Sequence, residues 1–312
     1  EIYTLSLHDA LPIYELVKPG ILERGILLTL RFVFDQYVNL RPAFSMPNVP
    51  TPVPLNGAKM DSVVVRENTE DLYMGLGEIS EEGRLTTSLN LERGGYSLRG
   101  KLELATSPEV PFAAQVALNT RHGASRIARY ACETAKKRGE TRVTIVTKAN
   151  AAPALYGFFE RTAVDVIASE YPELEYDTVN VDALCYHLVR NPAAWGVLLC
   201  PNLFGDIVSD LQAALAGGLG TAAGGNIGDG LSMFEPVHGS APDIAGTGRA
   251  NPIAAILSGA MMLRHLNLDR SASAIESAVT RHLEKAEAAN LPFEFGGECS
   301  CSKMGDAIAE KV

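Results

Sequence analysis

The sequence predicts an α/β fold built on a buried sheet, and three observations point to it. Short β-branched or apolar runs at 63–65, 143–146, 179–181 and 197–199 read as buried strands. Helical periodicity fills the gaps between them, so strand and helix alternate as they do when helices cover a sheet. With 312 residues and 46% hydrophobic content, the chain exceeds the roughly 250–300 residues at which a single core tends to split. Two domains, or two lobes sharing one sheet, are therefore expected. In such sheets ligands bind at the carboxyl ends of strands, which is where Lys148 and Asp206 fall.

Taken in order, the first run leads directly into Arg66-Glu67-Asn68-Thr69-Glu70. The stretch 75–111 carries glycine pairs and scattered charges without a long apolar period, and a solvent-exposed insertion is one reading of it. The helix at 125–137 stops ahead of Gly139, a residue suited to the left-handed position that closes a helix. The helix at 154–169 is amphipathic and stops before Tyr171-Pro172. The run at 179–181 precedes Asp182, and the run at 197–199 precedes Pro201-Asn202-Leu203-Phe204-Gly205-Asp206-Ile207-Val208-Ser209-Asp210. Gly217-Gly218-Leu219-Gly220 and Gly224-Gly225-Asn226 mark turns. No Gly-x-Gly-x-x-Gly follows a strand to open a helix, so the Rossmann fingerprint is absent.

Composition excludes several functions. A net charge of −10 and a pI near 5.2 argue against a nucleic-acid or anionic-membrane surface, which needs clustered Lys and Arg. No apolar run approaches the roughly 18 residues of a membrane span. Five cysteines (Cys132, Cys185, Cys200, Cys299, Cys301) lack framework spacing, so a reducing cytoplasm fits better than a disulfide scaffold. Cys299-Ser300-Cys301 reads as incidental.

The residues that can carry chemistry are acidic and basic in about equal measure. Asp206 and Asp210 are four apart, hence stacked on one helix face. That arrangement costs roughly 0.2–0.5 kcal/mol unless a cation lies between them. Mg²⁺ or Mn²⁺ would reverse its sign; the alternative is a solvated pair favoured by the helix dipole. Asp182 is a third acidic candidate, or else a helix cap. Arg31, Arg41 and Arg66 have guanidinium forks that match carboxylates bidentately, although each alone could be a surface ion pair. Tyr73 lies seven residues beyond Arg66, and Lys148 stands in Thr147-Lys148-Ala149-Asn150. Finally, Phe234-Glu235-Pro236-Val237-His238-Gly239-Ser240-Ala241-Pro242-Asp243-Ile244-Ala245-Gly246, running on to Asn251-Pro252, is a Gly-rich acidic loop of the kind that cradles a nucleotide.

Together these motifs resemble the metal-dependent β-decarboxylating dehydrogenases, the isocitrate and isopropylmalate dehydrogenase family, over roughly residues 14 to 312. The resemblance implies a two-domain fold around a large mixed sheet. Residues 1–36 with 217–312 would form a discontinuous cofactor-binding domain lacking its first strands. Residues 37–216 would bind substrate and metal and form the dimer interface, with an arm near 75–111. It also implies roles. Asp206 and Asp210 would hold the divalent ion together with Asp182 from a second subunit of a homodimer. Arg31, Arg41 and Arg66 would clamp the carboxylates of a small 2-hydroxy di- or tricarboxylate, and Tyr73 and Lys148, the latter from the second subunit, would be catalytic. His238, Gly239, Ser240, Ala241, Asp243, Ile244 and Asn251 would bind the cofactor. A carboxylate at Asp243 can accept from both ribose hydroxyls, whereas a 2′-phosphate would meet it at about 4 kcal/mol per charge pair at 4 Å and an effective dielectric of 20. NAD is therefore expected rather than NADP.

By the same resemblance Leu27 and Leu28 contact the third substituent of the substrate, and this apolar pair favours an isopropyl group. The segment Pro19-Gly20-Ile21-Leu22-Glu23-Arg24-Gly25 agrees with that. Tartrate and D-malate enzymes share a leucine pair, however, Arg24 could read a third carboxylate, and Arg66 to Asp71 is more like the isocitrate and homoisocitrate branches. The expected substrate is 3-isopropylmalate, with isocitrate next. Family members begin with a strand and a glycine-rich loop ahead of the segment that starts here near Tyr14, and residues 1–13 match nothing in them. The expectation is an N-terminally truncated chain with foreign leading residues, which sequencing upstream of the locus would check. An inactive or regulatory member is the alternative. Retention of Tyr73, Lys148, Asp182, Asp206 and Asp210 argues against it, and the missing opening argues for it.

Overall fold

The computed structural model describes residues 23–284 and 287–312. The readings of residues 1–22 lie outside it, as does the side chain of Arg24. The described chain starts with a wide helical turn, Glu23–Leu28, continued by α1 (Thr29–Val33). Strands β1 (Val38–Phe44) and β2 (Asp61–Glu67) follow, then β3 (Gly77–Ser80), β4 (Arg84–Arg93), β5 (Tyr96–Ala105) and β6 (Phe112–Gln115). Next come α2 (Arg121–Arg138), β7 (Arg142–Thr147), α3 (Tyr156–Glu170), β8 (Glu175–Asn180), α4 (Val181–Arg190), β9 (Val197–Cys200) and α5 (Asn202–Ala216). The chain closes with β10 (Ala223–Ile227), β11 (Met233–Pro236), α6 (Ile253–His265), α7 (Asp269–Glu284) and α8 (Cys301–Ala309).

Seven strands form one mixed sheet in the order β11-β10-β1-β2-β9-β7-β8. The half from β2 to β8 is parallel, while β1 runs antiparallel to both its neighbours and β10 to β11. Burial on both faces explains the apolar runs of β2, β7 and β9. Along β2, Val63 and Val65 join a core with Ile127 and Phe159 under α2 and α3, whereas Val64 joins Leu184, Leu198 and Val208 under α4 and α5. A third core lies beneath α6, α7 and α8, around Ile253, Leu257, Leu283 and Met304.

Local chemistry sets the helix ends. Thr120 caps α2 by accepting the Gly123 N–H at 3.0 Å, and Gly139 closes it at φ +70°, where glycine carries no Cβ penalty.

Two expectations need correction, and one stretch that the sequence left open takes a definite form. Gly224-Gly225-Asn226 is not a turn but the buried middle of β10. A Cβ on Gly225 would lie 3.0 Å from the Phe234 ring and one on Gly224 3.1 Å from the Glu235 carbonyl, so these glycines let β11 approach closely. The run at 179–181 is not a buried strand: β8 is an edge strand exposed over its first four residues, and Val181 opens α4. The 75–111 stretch is strand-rich, with β4 and β5 paired along all ten of their residues and β3 paired to β6. Leucines at 85, 89 and 91 and at 98, 102 and 104 carry that pairing despite the charges between them.

Candidate active site

The site forms where α5 begins against β1 and β2. Alternation along a strand places residues two apart on one face, so Asn39 and Arg41 on β1 share a face, as do Arg66 and Asn68 on β2. The register opposes Asn39 to Arg66 on one side and to Asn226 of β10 on the other. Gly205 lets α5 sit on Arg66, because a Cβ there would be 2.5 Å from Arg66 Cγ.

Six of the candidates converge. Arg66 Nη1 donates to Asp206 Oδ1 at 2.5 Å, and its Nε is fixed by the Asn202 carbonyl at 2.9 Å. Arg41 Nη1 bridges Asp206 and Asp210 at 3.2 and 3.4 Å and donates to Ser209 Oγ at 2.7 Å. The Tyr73 hydroxyl donates to the second oxygen of Asp206, and its ring lies 5.0 Å beneath the Arg66 guanidinium. Arg31, on α1, donates from Nε to Asn226 Oδ1 at 2.9 Å and lies 3.7 Å from Glu235. A cleft of about 140 Å³ beside this cluster is lined by Leu27, Arg31, Arg41, Asn226, Glu235 and His238, among others. Leu28 is half-buried and does not line it. A larger hollow bounded by His187, Arg190 and Trp195 contains none of the candidate residues.

Ionisation follows from burial and crowding. Burial and the neighbouring Arg66 charge lower Arg31 to about 10, and the same two causes bring Arg41 to about 10. Burial would raise Asp206, but Arg66, the Tyr73 hydroxyl and Arg41 outweigh it and leave the carboxyl below its usual range. Asp210 is raised, mainly by burial. Tyr73 is raised by burial and by its bond to Asp206, so it holds its proton at neutral pH.

Other candidates stand apart. Lys148, just past β7, donates to Asp182 in the first turn of α4 at 2.6 Å, and neither bonds to the arginine cluster. Among the described residues no three His, Cys, Asp or Glu gather where they could hold a metal, so Asp182 does not join Asp206 and Asp210 within one chain. The loop after β11 is largely exposed, including Gly239, Ala241 and Asp243, while Ser240 and Ile244 are half-buried. His238 Nδ1 lies 2.9 Å from the Gly239 carbonyl. Asn251 is buried: it donates to Glu294 at 2.8 Å and accepts the Ile253 N–H at 3.1 Å, which spends both ends of its amide on structure.

Asn39, Asn68, Asn226 and Glu235 were missed in the sequence. The first two were legible as the same-face partners of Arg41 and Arg66 at spacing two. Asn226 carried no such signal, because only the pairing of β10 with β1 brings it there.

Three buried arginines beside paired aspartates, at a cleft of a mixed sheet, define an α/β protein with a site suited to carboxylate groups. The family model for isocitrate/isopropylmalate dehydrogenase matches residues 12–308, and the chain belongs to that family of decarboxylating dehydrogenases. It is 42% identical to the 3-isopropylmalate dehydrogenase of Streptomyces coelicolor, over 99% of this chain and 81% of that protein. It is 43% identical to the enzyme of that name from Clavibacter sepedonicus, over 93% and 74%. The crystal structure of isocitrate dehydrogenase from Methylococcus capsulatus superposes with a TM-score of 0.80 at 37% identity, covering 95% of this chain and 78% of that one. The large mixed sheet is thus the isopropylmalate dehydrogenase-like fold expected.

Proposed function

We propose that the protein catalyses the NAD-dependent oxidative decarboxylation of (2R,3S)-3-isopropylmalate to 4-methyl-2-oxopentanoate. The observation that carries the reading is a cleft lined by Arg31, Arg41 and the apolar Leu27, beside which Arg66 pairs with Asp206. The names of the two bacterial relatives support the substrate. Isocitrate is the second reading, favoured by the Methylococcus neighbour and by the Arg66 to Glu70 run.

Asp206 and Asp210 offer hard oxygen donors one helical turn apart, with side chains one-third and about half exposed, and they suit Mg²⁺ or Mn²⁺ once a third acid completes the set. We assign that acid to Asp182 of a second subunit, since Asp182 is 67% exposed. When bound, NAD supplies the hydride acceptor and the divalent ion supplies Lewis acidity. The arginines bind and orient the carboxylates of the substrate. Lys148 of the second subunit, beside the Asp182 it bonds to, accepts the proton of the substrate hydroxyl, and Tyr73 returns a proton to carbon after carbon dioxide leaves. Exposed Tyr186, Val189 and Ile207 on α4 and α5 support a homodimer. Asp243 supports NAD, residues 1–36 with 217–312 would carry it, and the five free thiols suit a cytoplasmic enzyme.

The test is NADH formation with NAD and Mg²⁺ or Mn²⁺ on 3-isopropylmalate, isocitrate, homoisocitrate, tartrate and D-malate in parallel. Turnover of 3-isopropylmalate above the others supports the reading. Preference for isocitrate moves the protein to the second reading, and silence on all five sinks both.

A further inference from the structure

We infer that Asn226 is a positioning residue: its side-chain amide sets the directions of Arg31 and Glu235, and so links the substrate-binding arginines to the strand that enters the cofactor loop. The inference rests on the proposed function for what Arg31 and that loop bind. Asn226 is 1% exposed, in the middle of β10 between β1 and β11. Its Oδ1 accepts from Arg31 Nε at 2.9 Å, from Asn39 Nδ2 at 2.9 Å and from Asn68 Nδ2 at 3.0 Å. Its Nδ2 donates to Glu235 Oε1 at 2.8 Å. A reversed amide would turn N–H groups toward three donors and an oxygen toward a carboxylate, so one orientation alone is allowed.

The network continues outward. Asn39 Oδ1 accepts from Arg41 Nε at 2.7 Å, and Asn68 Nδ2 also donates to the Gln36 carbonyl at 2.8 Å. Two of the three substrate arginines are thus aligned through one pair of amides. Burying three asparagines in the middle of a sheet is unfavourable unless every polar atom is partnered. Apolar residues would pack there, but they would leave the Arg31 Nε and the Glu235 carboxylate without a buried partner. Among the described residues the Arg31 guanidinium makes no other side-chain hydrogen bond; its Nη2 lies 3.7 Å from Glu235, and the residue lines the cleft.

The test uses Asn226→Asp, which keeps the oxygen that faces three donors but sets a second oxygen against Glu235. The double variant with Glu235→Gln exchanges donor and acceptor and restores the original net charge. Dissociation constants for 3-isopropylmalate and NAD are measured by calorimetry beside kcat and KM. The expected result is a roughly 10-fold or greater weakening of 3-isopropylmalate binding in the single variant, a smaller change in kcat, and recovery of most of that loss in the double variant. A folded single variant that binds as the unaltered protein does, or a double variant no better than the single, overturns the inference. Asn226→Leu, which removes all four bonds, must weaken binding at least as much as Asn226→Asp. If the unaltered protein binds the hydroxy acid through Asn226 yet turns nothing over, the proposed function fails and the positioning role stands. Absence of binding by the unaltered protein overturns both.

Discussion

Arg66 and Asp206 meet at 2.5 Å, and the guanidinium is 1% exposed where the carboxylate is one-third exposed. The arginine is the fixed partner, since its Nε is held by both the carbonyl and the side-chain oxygen of Asn202. The carboxylate is the adjustable one, because Arg41 and Tyr73 compete for it. A buried charge with a partly exposed counterion can trade that counterion for a ligand without either becoming uncompensated.

Asp206→Asn keeps the shape but removes the charge. Turnover should disappear, and stability should fall by roughly 1–3 kcal/mol, because Arg66 is left buried with a neutral partner. Urea denaturation beside the NADH assay checks both, and a fully active variant would contradict the assignment of Asp206.

Tyr73→Phe retains the ring beneath Arg66 and loses the hydroxyl, with its hydrogen bond to Asp206. The expected outcome is a fall in kcat of about 10²–10⁴-fold with KM within a few-fold, measured in steady state. A rise in KM without loss of kcat would make Tyr73 a binding residue.

Gly205→Ala puts a methyl group 2.5 Å from Arg66 Cγ, in a place where the arginine has no room to retreat. A stability loss of about 1–3 kcal/mol and a weaker grip on the hydroxy acid are expected. Thermal melts with calorimetric titration of the substrate test this, and an unchanged melting point would show that α5 slides freely.

Glu67 is fully buried, and burial together with the charge of Glu70 raises its carboxyl from 4.5 to about 7. The unfolded chain therefore gives up this proton first as pH rises. Its contribution to stability is complete below about 4.5 and is lost as pH climbs through about 7. The urea midpoint of the unaltered protein should decline over that window. Glu67→Gln, less stable overall because an amide cannot accept from the Thr69 and Glu70 N–H groups alike, should show a shallower decline. Parallel slopes for the two proteins would refute this.

How much could be read from sequence varied with the physics of each element. Strands β2, β7 and β9 were legible because two buried faces demand continuous apolar residues, and α2 and α3 because of their periodicity, with a closing glycine on α2. Strand β10 was not, since Ala-Gly-Gly-Asn-Ile has no strand propensity of its own and is extended because β1 and β11 hold it. Strand β1 was hidden by Pro42, which lies past the end of its pairing with β10, where a missing N–H breaks no ladder on that side. In the site, residue type and spacing singled out the arginines and paired aspartates as candidates, and the family resemblance gave them their expected roles. Asn226 was not singled out, because hydrogen bonding between strands distant in sequence leaves no periodic trace.

Arg31 and Asn226 stand 195 residues apart along the chain. At a synthesis rate of about 5–20 residues per second, the arginine leaves the ribosome roughly 10–40 s before its partner exists. For that interval the first binding residue made has nothing to hold it, and whatever escorts the nascent chain meets a loose cationic helix rather than half of a finished cleft.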